Sequence, residues 1–306
     1  MTETRGDIDI TTIVVSWNTR ELLARCLASV ERELEASGLR GEIVVVDNAS
    51  TDGTPDVVRK HFPVATLVAL EENRGFAAAN NLALAQARGA AVLLLNPDAE
   101  LLLGSLDALW RALYAAPHVG MAGALLLNPD GSVQSAGYRF PGLTQVLLDF
   151  FPLHPRLVGS RLNGRMSPGD GLSPVAIDHP LGACMLVRRE VVDAVGGMDE
   201  GYFLYSEEID WCRRIAQAGW TIVTAPAARV IHHGGQSTSQ VPDAMFLQLH
   251  RSRARYFRRY HSPRFLRAVA LAARTAAAVE ALRGRPRATA LREVAGIYAT
   301  AEAADA

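Results

Sequence analysis

Glu207, Glu208 and Asp210 open a stretch with helical spacing, and an acidic cluster at that place has two uses. Its charges suit the positive end of a helix dipole, which is a structural use. The preceding run, Gly196-Gly197-Met198-Asp199-Glu200-Gly201-Tyr202-Phe203-Leu204-Tyr205, brings glycines and then aromatic rings up to the same carboxylates. A carboxylate held against rings loses water, which raises its pKa and suits it to general-base work near neutral pH. His232-His233-Gly234-Gly235 follows a strand-like segment. An imidazole there is either a satisfied structural residue or a ligand for a divalent ion, and Asp98 is the carboxylate that could join it. One carboxylate, one imidazole and phosphate oxygens would hold Mg²⁺ or Mn²⁺, which take few protein ligands. Asp47 and Asn73-Arg74-Gly75 read singly as turn formers. Together with the helix N-termini that follow them they suit a nucleotide, with carboxylate or amide on the base or ribose and arginine on phosphate. No G-x-G-x-x-G, P-loop or G-x-S-x-G motif occurs, which leaves dinucleotide, P-loop and serine-hydrolase chemistry without support.

The elements that must position these residues alternate in type. Residues 10–15 are a β-branched apolar run ending at Ser16-Trp17-Asn18, and Leu22, Leu23, Cys26, Leu27 and Val30 then recur at helical spacing. Residues 42–46 predict a buried strand ending at Asp47, followed by turn chemistry and a helix over 54–61. A third unit runs from strand 64–70 into helix 76–87, and strand 90–95 stops at Asn96-Pro97-Asp98. This alternation predicts a parallel sheet with helices on both faces. Ligands of such sheets bind outside the carboxyl ends of the strands, where Asn18, Asp47, Asn73 and Asp98 all fall. After a helix over 104–115, strand 120–127, the turn Asn128-Pro129-Asp130-Gly131 and strand 132–138 predict a hairpin, so the sheet becomes mixed. Residues 153–180, rich in Pro, Gly and Ser, read as a long loop. A strand over 182–188, helices over 190–195 and 207–218, the latter closed by Gly219, and strands 220–224 and 229–231 complete the pattern. From residue 242 onward two or three Arg- and Ala-rich helices follow.

With 306 residues, 49% hydrophobic and 21% charged, the chain is of globular composition and long enough for one large domain or two modest ones. A net charge of −1 conceals a division: residues 251–306 carry a net +8, which leaves −9 on residues 1–250. Cys26, Cys184 and Cys212 are odd in number and widely spaced, which suggests neither a disulfide framework nor a cysteine zinc site and fits a reducing compartment. Residues 1–9 are polar, and no apolar run reaches the roughly 18 residues of a spanning helix. A cytoplasmic protein without a signal peptide is the expectation.

Six blocks in fixed order carry a resemblance: Val14-Val15-Ser16-Trp17-Asn18, Val45-Val46-Asp47-Asn48-Ala49-Ser50-Thr51-Asp52-Gly53, Glu72-Asn73-Arg74-Gly75-Phe76-Ala77, Leu95-Asn96-Pro97-Asp98, Gly182-Ala183-Cys184-Met185, and Gly197-Met198-Asp199-Glu200 through Glu207-Glu208-Ile209-Asp210-Trp211-Cys212-Arg213. Over about residues 10–239 they resemble glycosyltransferase family 2, in its bacterial rhamnosyltransferase and galactofuranosyltransferase-like branch. The resemblance implies a GT-A fold, with a mixed, mostly parallel central sheet flanked by helices and an α-helical C-terminal extension. It further implies an inverting enzyme that moves a sugar from a nucleotide diphosphate to an acceptor hydroxyl. Carried over, Ser16, Asn18, Asp47, Asn73, Arg74, Gly75, Asn96 and Asp98 would bind the donor, Asp47 through a pyrimidine. Asp98 stands at the metal-binding end of the family's D-x-D motif, with Asn96 in place of the first aspartate. His232 would be the further metal ligand, with His233 as the alternative, for Mg²⁺ or Mn²⁺. Glu208 stands at the base position of the family's E-D-x-D pattern, with glutamate for aspartate. Gly182, Glu207, Asp210, Trp211 and Arg213 would support the acceptor side.

The implied division is a catalytic region over 1–240, with a nucleotide-sugar half over 1–100 and an acceptor half over 101–240, and a basic helical extension over 241–306. The implied donor is dTDP-L-rhamnose, with UDP-galactofuranose as runner-up, and the implied acceptor is a saccharide or a polyprenyl-linked one. Neither a Q-x-x-R-W motif nor membrane spans are present, which favours single addition. Arg251, Arg253, Arg255, Arg258 and Arg259 interleave with Tyr256, Phe257 and Tyr260, a pattern that suits either a helical annex or dimer interface, or an anionic inner-leaflet surface. The acidic body and the lack of a nucleic-acid motif argue against nucleic acid as partner. Two other classes compete. A nucleotidyltransferase would need a glycine-rich G-x-G-x-R loop with a downstream lysine, which the chain lacks. A non-catalytic scaffold of polysaccharide assembly would tolerate Asn96 and Glu208 where the family carries aspartate.

Overall fold

Val, Ile and Leu fill β1 (Ile10–Ser16), β2 (Gly41–Asp47), β3 (Thr66–Ala69) and β4 (Ala91–Leu95), and β1, β4 and most of β2 are buried. These four pair in parallel in the order β3-β2-β1-β4. Parallel pairing requires crossovers, and α1 (Arg20–Ser37), α2 (Thr54–His61) and α3 (Phe76–Leu84) supply them. In the computed structural model residues 8–152, 154–234 and 240–300 are described. The polar N-terminus up to residue 7, Leu153 and the stretch 235–239 that holds Gly235 lie outside the described residues.

The rest of the sheet is mixed. β5 (Ala99–Leu101), β6 (Val119–Leu127), β7 (Val133–Ser135), β8 (Val175–Ile177), β9 (Cys184–Arg188) and β10 (Thr221–His232) extend it in the order β4-β9-β6-β10-β5, with β7 on β6 and β8 on β10. β9 runs antiparallel to both β4 and β6 and so joins the two halves. The hairpin about residues 128–131 forms as expected. The two strands expected over 220–224 and 229–231 are one, β10, whose pairing with β6 slips between Ala225 and Arg229. Pro226 lies in that slip and has no N–H to give to the ladder. The stretch 153–180 is not structureless: it carries α6 (Pro155–Val158), a 3-10 turn Arg161–Asn163 and β8. An additional helix, α5 (Leu143–Phe150), precedes it.

Alternation along the strands divides the core. Ile10, Val14, Leu93 and Leu95 point to the layer with α1 and α4 (Ser105–Leu113), whereas Ile13, Val15, Val92 and Leu94 point to the layer with α3, α7 (Arg189–Val195) and α8 (Glu207–Gln217). A third cluster joins α5 and Tyr202 to α9 (Pro242–Tyr260), α10 (Pro263–Leu282) and α11 (Arg287–Thr300). Phe257 and Tyr298 are almost fully buried in it.

This packing redirects the basic cluster of α9. Arg251 pairs with Glu293, Arg253 with Asp149, Arg255 with Asp199, and Arg259 with Asp199 and Asp210. Tyr256 and Phe257 face the core and the Tyr260 hydroxyl donates to Asp210. Four of the five arginines that suited an anionic surface are therefore engaged within the chain. No helix among the described residues is long and apolar enough to cross a membrane.

Candidate active site

The carboxyl ends of β1, β2, β4 and β10 converge on a cleft of about 640 Å³. Trp17, Asn48, Asn73, Gly75, Asn96, Asp98, Gly182, Glu207, Glu208 and His232 line it, with Phe203, Tyr205 and Met245 at an apolar wall.

The nucleotide side is a web of short polar links. Asn18, in a left-handed conformation, accepts from Thr51 N–H at 2.8 Å and so ties the end of β1 to the loop after β2. Ser16 is buried, its hydroxyl 2.8 Å from that of Thr19. Asn48 donates to Asn73 Oδ1 at 2.9 Å and accepts from Arg74 N–H at 2.9 Å, which locks the second and third strand ends together. Asp47 lies behind this layer and does not line the cleft. Its Oδ2 accepts from Ser50 N–H at 3.0 Å, while its Oδ1 is enclosed with no hydrogen-bond partner. Gly75 is required by its surroundings: its φ is +81°, and a Cβ there would collide with the backbone and ring of Phe203. The Arg74 side chain is exposed and outside the cleft lining.

Asp98 Oδ1 and His232 Nε2 lie 3.4 Å apart, both largely buried. Asn96 Oδ1, on the same wall, is enclosed without a partner. These three groups fit a divalent cation, because carboxylate oxygen, imidazole nitrogen and amide oxygen are each able to give a lone pair to a metal. Among the described residues there is no group of three or more His, Cys, Asp or Glu that could hold a metal ion. His233 turns aside to Glu100, 2.8 Å away, which leaves His232 in the cleft.

Glu208, at the start of α8, lines the same cleft as this pair. The chain enters α8 through Tyr205 and Ser206, both with positive φ, a costly conformation for residues with a Cβ. Gly182 admits the Glu208 side chain: a Cβ at 182 would stand 3.3 Å from Glu208 Cγ. Glu208 Oε2 and Glu207 Oε2 are enclosed without partners. Loss of water pushes the Glu208 carboxyl up to about 7. Burial, and then the charge of Glu208, also raises the Glu207 carboxyl well above the usual carboxylate range.

Three residues expected on the acceptor side do not line the cleft. Trp211 is fully buried, its Nε1–H donating to Gly196 O at 2.8 Å. Asp210 accepts from Arg214, Arg259 and Tyr260, so it holds α8 against α9. Arg213 packs over Phe140 and Tyr260. The apolar period of α8 contained this information for Trp211, since a buried indole at helical spacing is more often core than site. Conversely, Asn48 and Trp17 line the cleft although neither was among the expected donor residues, and Phe203 lines it from the aromatic run before Glu207.

The model of Glycosyl transferase family 2 matches residues 11–196. The chain belongs to glycosyltransferase family 2. Within that family it is 34% identical over 256 residues to the N-acetylglucosaminyl-diphospho-decaprenol L-rhamnosyltransferase of Mycobacterium tuberculosis, covering 78% of this chain and 81% of that one. It is 29% identical over 170 residues to rhamnosyltransferase WbbL of Escherichia coli K12, covering 52% of this chain and 61% of the relative. Among solved structures, the mannosyltransferase PcManGT from Pyrobaculum calidifontis, in complex with GDP-Man and Mn²⁺, superposes with a TM-score of 0.59 at 22% identity, over 99% of this chain and 87% of that one. The protein is thus a family 2 glycosyltransferase of the rhamnosyltransferase-like branch, with the GT-A architecture and added C-terminal helices.

Proposed function

We propose that the protein transfers L-rhamnose, with inversion, from dTDP-L-rhamnose to a hydroxyl of a saccharide carried on a polyprenyl lipid, in the assembly of a cell-surface polysaccharide. The reading of the reaction rests on one observation: Glu208, whose Oε2 is enclosed without a hydrogen-bond partner, lines the same cleft as Asp98 and His232. The reading of donor and acceptor is supported by the likeness to the mycobacterial enzyme, whose name specifies both.

In this reading Glu208 takes the proton of the acceptor hydroxyl while that oxygen attacks the anomeric carbon and the bond from that carbon to the diphosphate oxygen breaks. A pKa near 7 keeps Glu208 basic enough to accept the proton and still ionised in much of the population at neutral pH. Asp98, His232 and Asn96 would hold a divalent cation. When bound, it supplies positive charge to the departing diphosphate. Asn48, Asn73 and Trp17 would bound the nucleoside, while Asp47, enclosed behind them, would hold the turn at Ser50 rather than meet the base. Arg74, exposed beside the strand end, is the cation available to the diphosphate.

Thermal stabilisation by a panel of nucleotides and nucleotide sugars, with and without Mn²⁺, tests this reading, because a ligand that binds only the folded state raises stability, by about 2.7 kcal/mol at 100 times its Kd. The expected result is a Mn²⁺-dependent rise with dTDP compounds. A rise confined to UDP-sugars would move the donor to UDP-galactofuranose or another UDP-hexose. A rise with nucleoside triphosphate and sugar phosphate would indicate a nucleotidyltransferase, and no rise at all would indicate a scaffold.

A further inference from the structure

The hairpin between β6 and β7 has no place in the reaction described above, yet it reaches the cation site through an unbroken line of hydrogen bonds. The Ser132 hydroxyl donates to Asp130 Oδ1 at 2.6 Å, and a carboxylate can only accept. Ser132 Oγ is therefore free to accept from Asn128 Nδ2, 2.9 Å away. That fixes the Asn128 amide, whose Oδ1 accepts from Gln134 Nε2 at 3.0 Å. The same Gln134 Nε2 also donates to the backbone carbonyl of His232 at 3.2 Å, which independently fixes the glutamine amide. Gln134 Oε1 is then the atom 2.7 Å from His232 Nδ1, so Nδ1 must carry the proton. The Gln134 backbone is itself held, its carbonyl accepting from Arg165 at 3.0 Å.

In the neutral ring only one nitrogen is protonated, so His232 Nε2 is left with a lone pair directed at Asp98 Oδ1, 3.4 Å away. Two acceptors facing each other repel unless a cation lies between them. We propose that Gln134, oriented by the 128–132 turn, is a positioning residue that fixes the His232 tautomer so that Nε2 is presented to a divalent cation shared with Asp98. This rests on the reading of Asp98 and His232 as a cation site. Without Gln134 the ring can turn its proton to Nε2 and donate to Asp98, which closes the site. Partners of ligating histidines outside the coordination sphere commonly change metal affinity ~10- to 100-fold.

The test is the ¹⁵N-histidine spectrum of the metal-free full chain, with the His232 signals assigned by their loss in His232→Ala, alongside Mn²⁺ titrations of the same proteins. The wild type is expected to show protonated Nδ1 and bare Nε2. Gln134→Leu is expected to move the proton to Nε2 and to weaken Mn²⁺ binding ~10- to 100-fold. Gln134→Glu keeps an acceptor at Nδ1 and is expected to retain the wild-type tautomer, which separates the tautomer effect from damage to the hairpin. A wild-type ring protonated at Nε2 or at both nitrogens, or an unchanged tautomer in Gln134→Leu, overturns the proposal. Wild type and His232→Ala binding Mn²⁺ alike, with the tautomers as expected, would instead overturn the cation reading and with it the purpose assigned to the hairpin.

Discussion

Glu208 joins two properties that rarely coexist at a surface: an enclosed carboxylate oxygen without a partner, and a place at the edge of an open cleft. As general base it must be ionised, so kcat/KM is expected to climb as pH rises through about 7, measured as an initial-rate profile. Glu208→Gln is expected to lower kcat ~10²- to 10⁴-fold while leaving donor binding intact. The same burial costs stability. The folded-state pKa lies above the unfolded value of about 4.3, so between roughly pH 4.3 and 7 the folded state binds more protons and stability falls as pH rises. Glu208→Gln should therefore melt higher than wild type above pH 7 and match it below pH 4. Residue types and strand-end positions singled out Asp98, His232 and Asn73, and the acidic cluster after the aromatic run singled out Glu208; all four line one cleft. Asn48 and Gln134 were not singled out, because a turn asparagine and a strand glutamine take their roles from which neighbours the fold supplies, here Asn73 and His232.

At the scale of elements, α8 is the carrier of the base, and α9 holds α8. Asp210 is fully enclosed and bound by Arg214, Arg259 and Tyr260, while Arg255 and Arg259 also grip Asp199 on the segment leading into the helix. Ser252 adds a 2.6 Å hydrogen bond to the Leu204 carbonyl. Asp210→Ala strips one side of a buried network and is expected to cost about 3 kcal/mol in denaturant unfolding, with a fall in kcat as α8 loosens. A second consequence follows from His250 of α9, which lies against Phe150 and Phe246 and bonds to the Tyr298 hydroxyl at 3.0 Å. Burial lowers its pKa to about 3, and that of His179 to about 4. The unfolded chain takes up these protons below about pH 6.5 while the folded chain does not, so the share of stability set by these histidines falls as pH drops from 6.5 toward 4, opposite in sign to the share set by Glu208. It is read as a difference: denaturation midpoints of His250→Phe should gain on those of wild type as pH drops across that range. The strand and helix alternation of the first hundred residues was readable from apolar periodicity. β5, α5 and β8 were not, since each is short and takes its form from pairing or packing rather than from its own pattern.

The whole molecule combines an acidic sheet region with a basic helical end, and Arg253, Arg255 and Arg259 of that end form ion pairs with Asp149, Asp199 and Asp210 of the acidic region. A chain ended at residue 241 would uncover Tyr202, Val146 and Phe150 and lose the partners of Asp199 and Asp210. It is expected to lack a cooperative thermal transition, which calorimetry would show. Family motifs covered the catalytic region and gave no account of this end, because the contacts that make it part of the same body are long-range. The central claim is that the cleft of Glu208, Asp98 and His232 performs inverting sugar transfer. Its most direct test is to supply dTDP-L-rhamnose and a polyprenyl diphosphate-linked saccharide to wild type and Glu208→Gln and to determine the anomeric configuration of the product. The wild type is expected to give an inverted rhamnoside and the variant almost none. A product of retained configuration, or equal transfer by both proteins, would contradict the claim.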